Sequence, residues 1–152
     1  AELKKWELIS RTVPPKIAHI RGLHGSPLTY GVLDDLILLK VDPADTAKLP
    51  SEALAPRLSV VKKDETVYLV GAGVGGSTQE AHPAKVTIAD GLIIDAKLEK
   101  PIDLTGFSGS PIVDSNGCLV GILTSSNATP DRQGNFASFI AESVIQVRTL
   151  VR

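Results

Sequence analysis

Cysteine is nearly missing from this sequence: Cys118 is the only one among 152 residues. A single cysteine excludes an intrachain disulfide. Disulfide-stabilised domains belong to oxidising compartments, so the count favours a reducing one. Cys118 alternates with Val120 after an Asn-Gly turn and has no cationic or histidine neighbour in sequence that would favour a thiolate. We therefore expect a small buried strand residue rather than a nucleophile.

Long apolar runs and an excess of one charge are missing as well. The longest purely aliphatic run covers residues 36–39, whereas a membrane-spanning helix needs about 20 apolar residues. The net charge of −1 gives no electrostatic footprint for nucleic acid or for an anionic membrane. We therefore expect neither a nucleic-acid nor a membrane partner.

Methionine is absent throughout, and the first residues lack the apolar core of a signal peptide. From the missing initiator we expect that the chain begins downstream of its gene start. Its 152 residues can bury a real interior, as one domain or as two small barrels. The apolar content of 43% is ordinary for a soluble globular protein.

Helical periodicity is confined to the C-terminus, where residues 141–152 predict a short amphipathic helix. Elsewhere, short apolar runs alternate with glycine and proline turns. Asp90-Gly91 and Asn116-Gly117 each separate two such runs, which is the strongest short signal for a hairpin. An almost continuously apolar run over residues 31–41 predicts a strand covered on both faces. The pattern predicts an all-β protein.

One segment has the composition of a catalytic loop. Residues 106–111 read Gly-Phe-Ser-Gly-Ser-Pro and stand directly before the Asn116-Gly117 hairpin. Glycines on both sides of Ser108 allow positive φ and the close approach of another group. A nucleophilic serine needs such a loop, because its Oγ must reach a carbonyl carbon while backbone N–H groups face the developing oxyanion. A plain Gly/Ser connection between strands explains the composition equally well.

Three segments, in order, resemble trypsin-like serine peptidases. Residues 106–111, with the strand 121–124 that follows, are similar to the family's active-serine pattern G-x-S-G-G-P, with Ser110 where a second glycine is usual. Residues 35–40, Asp-Leu-Ile-Leu-Leu-Lys, resemble its aspartate-led strand. Residues 134–140 resemble the closing strand of the HtrA-like bacterial branch. Together the three span most of the chain from residue 35 onward.

The resemblance implies an all-β fold of two antiparallel β-barrels of the chymotrypsin type, the first incomplete in this chain. We expect the remainder of the N-terminal barrel and a connector in residues 1–60. The C-terminal barrel would occupy residues 61–140, and the terminal helix residues 141–152. Secreted relatives carry several disulfides, so the lone cysteine favours a bacterial origin and a cytoplasmic location, with the periplasm as the alternative.

The resemblance also implies catalytic residues. Ser108 would be the nucleophile, and Asp35 the carboxylate that orients a histidine, with Asp34 as its rival. The backbone N–H groups of Gly106 and Ser108 would bind the oxyanion. Phe107 replaces the aspartate that digestive relatives pair with a freed N-terminus, so we expect no activation by N-terminal cleavage. No cofactor or metal is implied.

The specificity pocket follows from the same resemblance. Its floor would fall near Ile102 and Asp103, and its walls would come from Thr124, Ser125 and Ser126. Ile102 at the base would suit an apolar side chain of the substrate, whereas Asp103 pointing inward would attract a basic one. Both alternatives stay open.

The histidine base is not assigned. The family's order along the chain is His, Asp, Ser, and residues 1–34 carry no matching histidine signature. His19 reads as a packed or half-exposed strand residue, His24 stands in a turn too close to Asp35, and His82 follows the aspartate. Either an upstream segment supplies the base or the protein is a degenerate peptidase, and the missing methionine favours the first.

A nucleotide-binding pattern, G-x-G-x-x-G, occurs at residues 71–76 directly after a predicted strand. In a dinucleotide-binding fold a helix must begin there and hold the pyrophosphate on its N-terminus. Pro83 would end such a helix within two turns, and a hairpin follows. We therefore expect a glycine-rich turn between strands.

Two functions stay open. The first is a serine endopeptidase that cleaves peptide or protein substrates through an acyl-enzyme on Ser108; without a base, this chain alone would be nearly inactive. The second is a catalytically dead trypsin-fold module that binds peptides.

Overall fold

A computed structural model of the chain describes residues 6–8, 23–27, 39–48 and 54–149. The chain divides into two compact units, Ala1–Ala53 and Leu54–Arg152. In the first unit, the described strands β1 (Trp6–Leu8), β2 (Leu23–Pro27) and β3 (Leu39–Val41) form an antiparallel sheet in the order β1-β2-β3. A 3₁₀ helix follows at Pro43–Lys48. β3 is the end of the predicted strand 31–41, whose first part lies outside the described residues.

The second unit contains a closed barrel of six antiparallel strands, in the order β4-β5-β6-β9-β8-β7. The strands are β4 (Thr66–Gly71), β5 (Glu80–Ala89), β6 (Ile93–Ile102), β7 (Pro111–Asp114), β8 (Leu119–Ser125) and β9 (Phe136–Ser143). The all-β prediction is confirmed. Closing the sheet on itself leaves no open edge that could pair with another chain.

The barrel interior follows from the alternation of side chains along each strand. On β4, Val67 and Leu69 are buried while Tyr68 between them is half-buried. Burying one such aliphatic side chain is worth about 1.5–3 kcal/mol. The largest fully buried side chains are Phe139, Leu69, Ile94, Ile112, Val67 and Val86.

Both predicted hairpins are confirmed, since β5 pairs with β6 and β7 with β8. At the first turn, the Asp90 carboxylate accepts hydrogen bonds from the N–H groups of Ile93 at 2.9 Å and Leu92 at 2.8 Å. These donors hold the pKa of Asp90 below its ordinary value. Gly91 and Gly117 have φ near +87° and +78°, which side-chain-bearing residues rarely adopt.

A polar clamp fastens residues 54–60 to the barrel. The Arg57 N–H donates to the Leu119 carbonyl at 2.8 Å, and the Leu119 N–H donates to the Ala55 carbonyl at 2.8 Å. The Arg57 guanidinium pairs with the Glu65 carboxylate and reaches the buried Asp114 carboxylate at 3.4 Å. This charge-assisted hydrogen bond from Arg57 lowers the pKa of Glu65.

Two local predictions differ from the structure. The helix predicted over residues 141–152 is not confirmed: β9 extends to Ser143, and a 3₁₀ helix at Val144–Thr149 follows. Pairing with β6 and β8 favours extended backbone there over an isolated helix. Cys118 is half-exposed rather than buried, because it precedes β8 and closes the turn through its N–H, which donates to Asp114 at 2.9 Å.

None of the helical segments in the described ranges is long and apolar enough to traverse a bilayer. The same ranges contain no group of three or more His, Cys, Asp or Glu side chains that could hold a metal ion.

Candidate active site

The loop between β6 and β7 begins with a self-contained turn. Oδ1 of Asp103 accepts hydrogen bonds from the Thr105 hydroxyl at 2.6 Å and from the Thr105 N–H at 2.9 Å. These two bonds, the hydroxyl first, lower the pKa of Asp103. The carboxylate is thereby committed to stabilising its own turn.

Phe107 anchors the loop to the barrel. Its side chain is 3% exposed, and its N–H donates to the Leu104 carbonyl at 3.0 Å. A Cβ built on Gly71 would lie 2.9 Å from the Phe107 ring, and one built on Gly73 would lie 3.3 Å from it. The two glycines at the end of β4 therefore make room for this ring.

This packing explains the G-x-G-x-x-G pattern without a nucleotide. After β4 the chain passes through a turn at residues 72–79 and enters β5 directly. No helix begins at the glycines, so no helix N-terminus is available for a pyrophosphate. The predicted glycine-rich turn between strands is confirmed.

Two of the five loop N–H groups from residue 106 to residue 110 have no acceptor within the described part of the chain. The others are engaged: Phe107 as above, Gly109 with the Leu123 carbonyl at 2.8 Å, and Ser110 with the Phe107 carbonyl at 2.8 Å. The two remaining donors belong to Gly106 and Ser108, the residues predicted to form an oxyanion hole. Unoccupied backbone donors beside an exposed serine are the groups that a developing oxyanion needs.

Ser108 is exposed at the mouth of a cavity of about 250 Å³. The cavity is lined by Leu104, Thr105, Ser108, Leu123, Ser125, Ser126 and Phe136. Ser125 and Ser126 were predicted as pocket walls, and the structure brings both to Ser108. Leu104 and Phe136 were not singled out from the sequence. Phe136 lies within the predicted closing strand 134–140, but the strand pairing that places it at the cavity cannot be read from the sequence.

The other predicted pocket residues lie elsewhere. Thr124 is the extra residue where the register between β8 and β9 shifts, and its hydroxyl donates to the Ile140 carbonyl at 3.4 Å. Ile102 and Asp103 line a separate cavity of about 380 Å³ on the Phe107 side of the loop. The extra residue at Thr124 is a β-bulge, and a β-bulge changes the direction of the side chains that follow it.

The two histidines that the structure describes, His82 and His24, lie on different strands. The His82 ring meets the Phe107 ring edge-on, with centroids 5.5 Å apart, and its Nε2 lies 3.8 Å from Glu80. It thus packs against the residue before Ser108. His24 lies on β2, opposite Glu7 in the register with β1. His19, Asp34 and Asp35 lie outside the described residues.

The family model of the trypsin-like peptidase domain matches residues 12–122. The match covers well over half of the chain, so the chain belongs to the family of trypsin-like peptidase domains.

Two crystal structures are similar to this chain in fold. Both are of Rv3671c from M. tuberculosis, described as a protease in an inactive form, and one is a serine-to-alanine mutant. Each has a TM-score of 0.57 and 18% sequence identity over 86% of this chain. The chain spans 64% and 67% of the two crystallised chains, respectively. No curated protein sequence is significantly similar to it.

Proposed function

We propose that this chain is the part of a serine endopeptidase that carries the nucleophile, Ser108. The observation that supports the proposal most directly is the pair of unoccupied N–H groups, of Gly106 and Ser108, beside an exposed hydroxyl. Membership of the trypsin-like peptidase domain family supports peptide or protein substrates. An oxyanion hole of this kind stabilises the tetrahedral intermediates of acyl transfer, and peptide hydrolysis is one such reaction.

The proposed reaction proceeds in two halves. Ser108 Oγ bonds to the carbonyl carbon of the scissile peptide while its proton passes to a base, and the carbonyl oxygen takes the negative charge. The N–H groups of Gly106 and Ser108 donate to that oxygen. The intermediate then expels the amine, which takes the proton and leaves an ester on Ser108. Water attacks this acyl-enzyme in the same way and releases the acid.

The base and its orienting carboxylate belong to the proposal as well. We propose Asp35 as the group that orients the base, on the resemblance of residues 35–40 to the aspartate-led strand. The base itself stays unassigned. His19 and His24 lie within the residues that the family model matches.

We also propose two barrels, although the described part of the first unit is a three-stranded sheet. The predicted division, with the first barrel and connector in residues 1–60 and the second barrel in residues 61–140, forms part of this proposal. Its support is the likeness in fold to the protease Rv3671c over 86% of the chain.

The nucleophile can be tested by covalent labelling. The protein produced from its complete gene should react with a fluorophosphonate at Ser108, and Ser108→Ala should abolish the labelling and remove nearly all peptide hydrolysis. A residual acceleration of about 10³–10⁴ over water is expected without a triad member, so faint hydrolysis is compatible with the proposal. Ser115→Ala, in the exposed turn between β7 and β8, is the matched control. Normal labelling of the Ser108→Ala variant would contradict the proposal. If the wild type binds peptides but is not labelled, the alternative function, a non-catalytic peptide-binding module, is supported instead.

The orienting carboxylate is tested by two neighbouring substitutions. Asp35→Asn should lower kcat by about 10⁴-fold, because an uncharged partner leaves the histidine in the wrong tautomer. Asp34→Asn, which makes the same chemical change one residue away, should leave kcat nearly unchanged. Both variants are compared with the wild type by steady-state kinetics and by thermal unfolding. The reverse order of effects would assign the role to Asp34.

A further inference from the structure

Three of the seven residues that line the cavity beside Ser108 have apolar side chains. Leu104 and Leu123 are 8% and 2% exposed, and the half-buried Phe136 packs against the same core. All three side chains line the space of about 250 Å³ that opens next to the Ser108 hydroxyl. A side chain entering this space exchanges water for aliphatic and aromatic surface, which favours apolar groups.

Two of the four hydroxyl groups at the cavity, those of Ser126 and Thr105, are committed to hydrogen bonds within the protein. The Ser126 hydroxyl donates to the Ser138 carbonyl at 2.7 Å and accepts from the Ala128 N–H at 3.2 Å. The Thr105 hydroxyl donates to Asp103 at 2.6 Å. These groups therefore have little remaining capacity to solvate a polar side chain inside the cavity.

The carboxylates of Asp103 and Asp131, in the loops before β7 and β9, also have other partners. Asp103 lines the other cavity and accepts both hydrogen bonds from Thr105. Asp131, in the loop before β9, accepts from the N–H groups of Gln133 at 2.8 Å and Asn135 at 2.9 Å. None of the described residues that line the Ser108 cavity has an acidic or a basic side chain. A lysine or arginine side chain placed there would find no countercharge among these lining residues, so any water that its charged group gives up is not compensated.

From these observations we propose that the cavity receives an uncharged apolar side chain of the substrate, on the residue whose carbonyl Ser108 attacks. Phe136 and Leu104 are then the specificity-determining residues, in place of Ile102 and Asp103. The inference rests on the proposed peptidase function for its reaction. Binding of the side chain needs only the cavity and the two free N–H groups of the loop. The binding preference and the peptidase reaction can therefore be tested separately.

The test measures binding in a protein that cannot react. Peptides of one sequence that end in Leu, Phe, Lys or Asp are titrated into the Ser108→Ala variant of the complete gene product by calorimetry. Their terminal carboxylate takes the place of the acyl group at the loop. Peptides ending in Leu or Phe should bind about tenfold or more tighter than those ending in Lys or Asp. Equal or tighter binding of the Lys peptide, or no binding of any peptide, overturns the inference.

A charge placed at the cavity should reverse the preference. Ser125→Asp, on an exposed lining residue, should improve binding of the Lys peptide by about tenfold and weaken that of the Leu peptide. Thr129→Asp adds the same charge at an exposed position that does not line the cavity and should change neither. If both variants change Lys binding equally, the effect is one of net charge and the site assignment is wrong.

The size of the cavity is tested at Phe136. Phe136→Leu should shift the preference from Leu toward Phe peptides, and thermal unfolding establishes that the variant folds. An unchanged preference in a folded Phe136→Leu protein contradicts the role of Phe136. Fluorophosphonate labelling of the wild type is measured in parallel. If labelling is absent but the preference for peptides ending in Leu or Phe remains, the peptidase proposal is wrong while the assignment of the cavity to an apolar side chain holds.

Discussion

Two glycine-rich segments of the barrel unit look alike in sequence and serve different physical ends. In residues 71–76, Gly71 and Gly73 are needed for the space above them, which the Phe107 ring occupies. In the loop, Gly106 and Gly109 are needed for their backbone, with φ near +86° and +83°. The Phe107 ring packs against Gly71 and Gly73, and Phe107 directly precedes Ser108. Residues 71–76 therefore help to position the loop that carries Ser108. A glycine motif therefore indicates a function only once its neighbours in space are known.

The largest expected effect that tests this comparison comes from the loop glycines. Gly106→Ala combines a positive φ with a Cβ 2.8 Å from the Val74 side chain and 3.2 Å from the Val74 backbone nitrogen. We expect the resulting shift to carry the Gly106 N–H away from the proposed position of the oxyanion. Losing one such donor costs about 10²–10³-fold in kcat. Gly109→Ala is the matched control, since it has the same sign of φ but nothing within 4 Å of the added Cβ.

The fluorophosphonate labelling rates of the two variants are measured together with their thermal unfolding. The comparison separates the effect of the Cβ contact with Val74 from the effect of the positive φ that both glycines share. Gly109→Ala should lose about 1–2 kcal/mol of stability from the left-handed backbone alone. If both variants label equally slowly, backbone strain accounts for the effect and the contact with Val74 is irrelevant.

A smaller effect is expected at the first segment. Gly71→Ala places a Cβ 2.9 Å from the Phe107 ring and 2.8 Å from the Ser110 hydroxyl, and overpacking of this kind costs about 1–3 kcal/mol. Gly73→Ala, at 3.3 Å from the same ring, should cost less. Urea unfolding measures both. Equal stability of Gly71→Ala and the wild type would show that the ring does not need this space.

The smallest expected effect lies at the polar clamp, away from both segments. Because Arg57 lowers the pKa of Glu65 in the folded protein, the pair stabilises the fold above the ordinary Glu pKa of 4.5 and loses this contribution as the pH falls through the lowered value. Glu65→Gln should therefore be less stable than the wild type at pH 7, with the difference shrinking below pH 4.5. Urea unfolding at several pH values measures it, and fluorophosphonate labelling should be unaffected. A difference that grows on acidification contradicts the sign of this linkage.

Much of the fold was predictable because its signals are local. Turn residues such as Asp90-Gly91 specify their own hairpin through side-chain and backbone bonds within three residues. The terminal helix was not predictable, because the aliphatic residues near 144 fit a helical face while pairing of β9 with two neighbours is a long-range effect. The prediction that Cys118 is a buried strand residue was wrong for a related reason. The turn is one residue longer than expected, so that Cys118 precedes β8, which begins at Leu119.

The candidate site shows the same division. The sequence by itself determined an all-β chain, the loop around Ser108 with its flanking glycines, and the resemblance to trypsin-like peptidases, since each is written in contiguous residues. Only the tertiary structure decided which loop N–H groups stay unoccupied and that Phe107 fills the space over Gly71 and Gly73. It alone placed Phe136 beside Ser108 and turned Asp103 toward Thr105. These depend on strand register and on side chains brought together from distant positions, which no local pattern encodes.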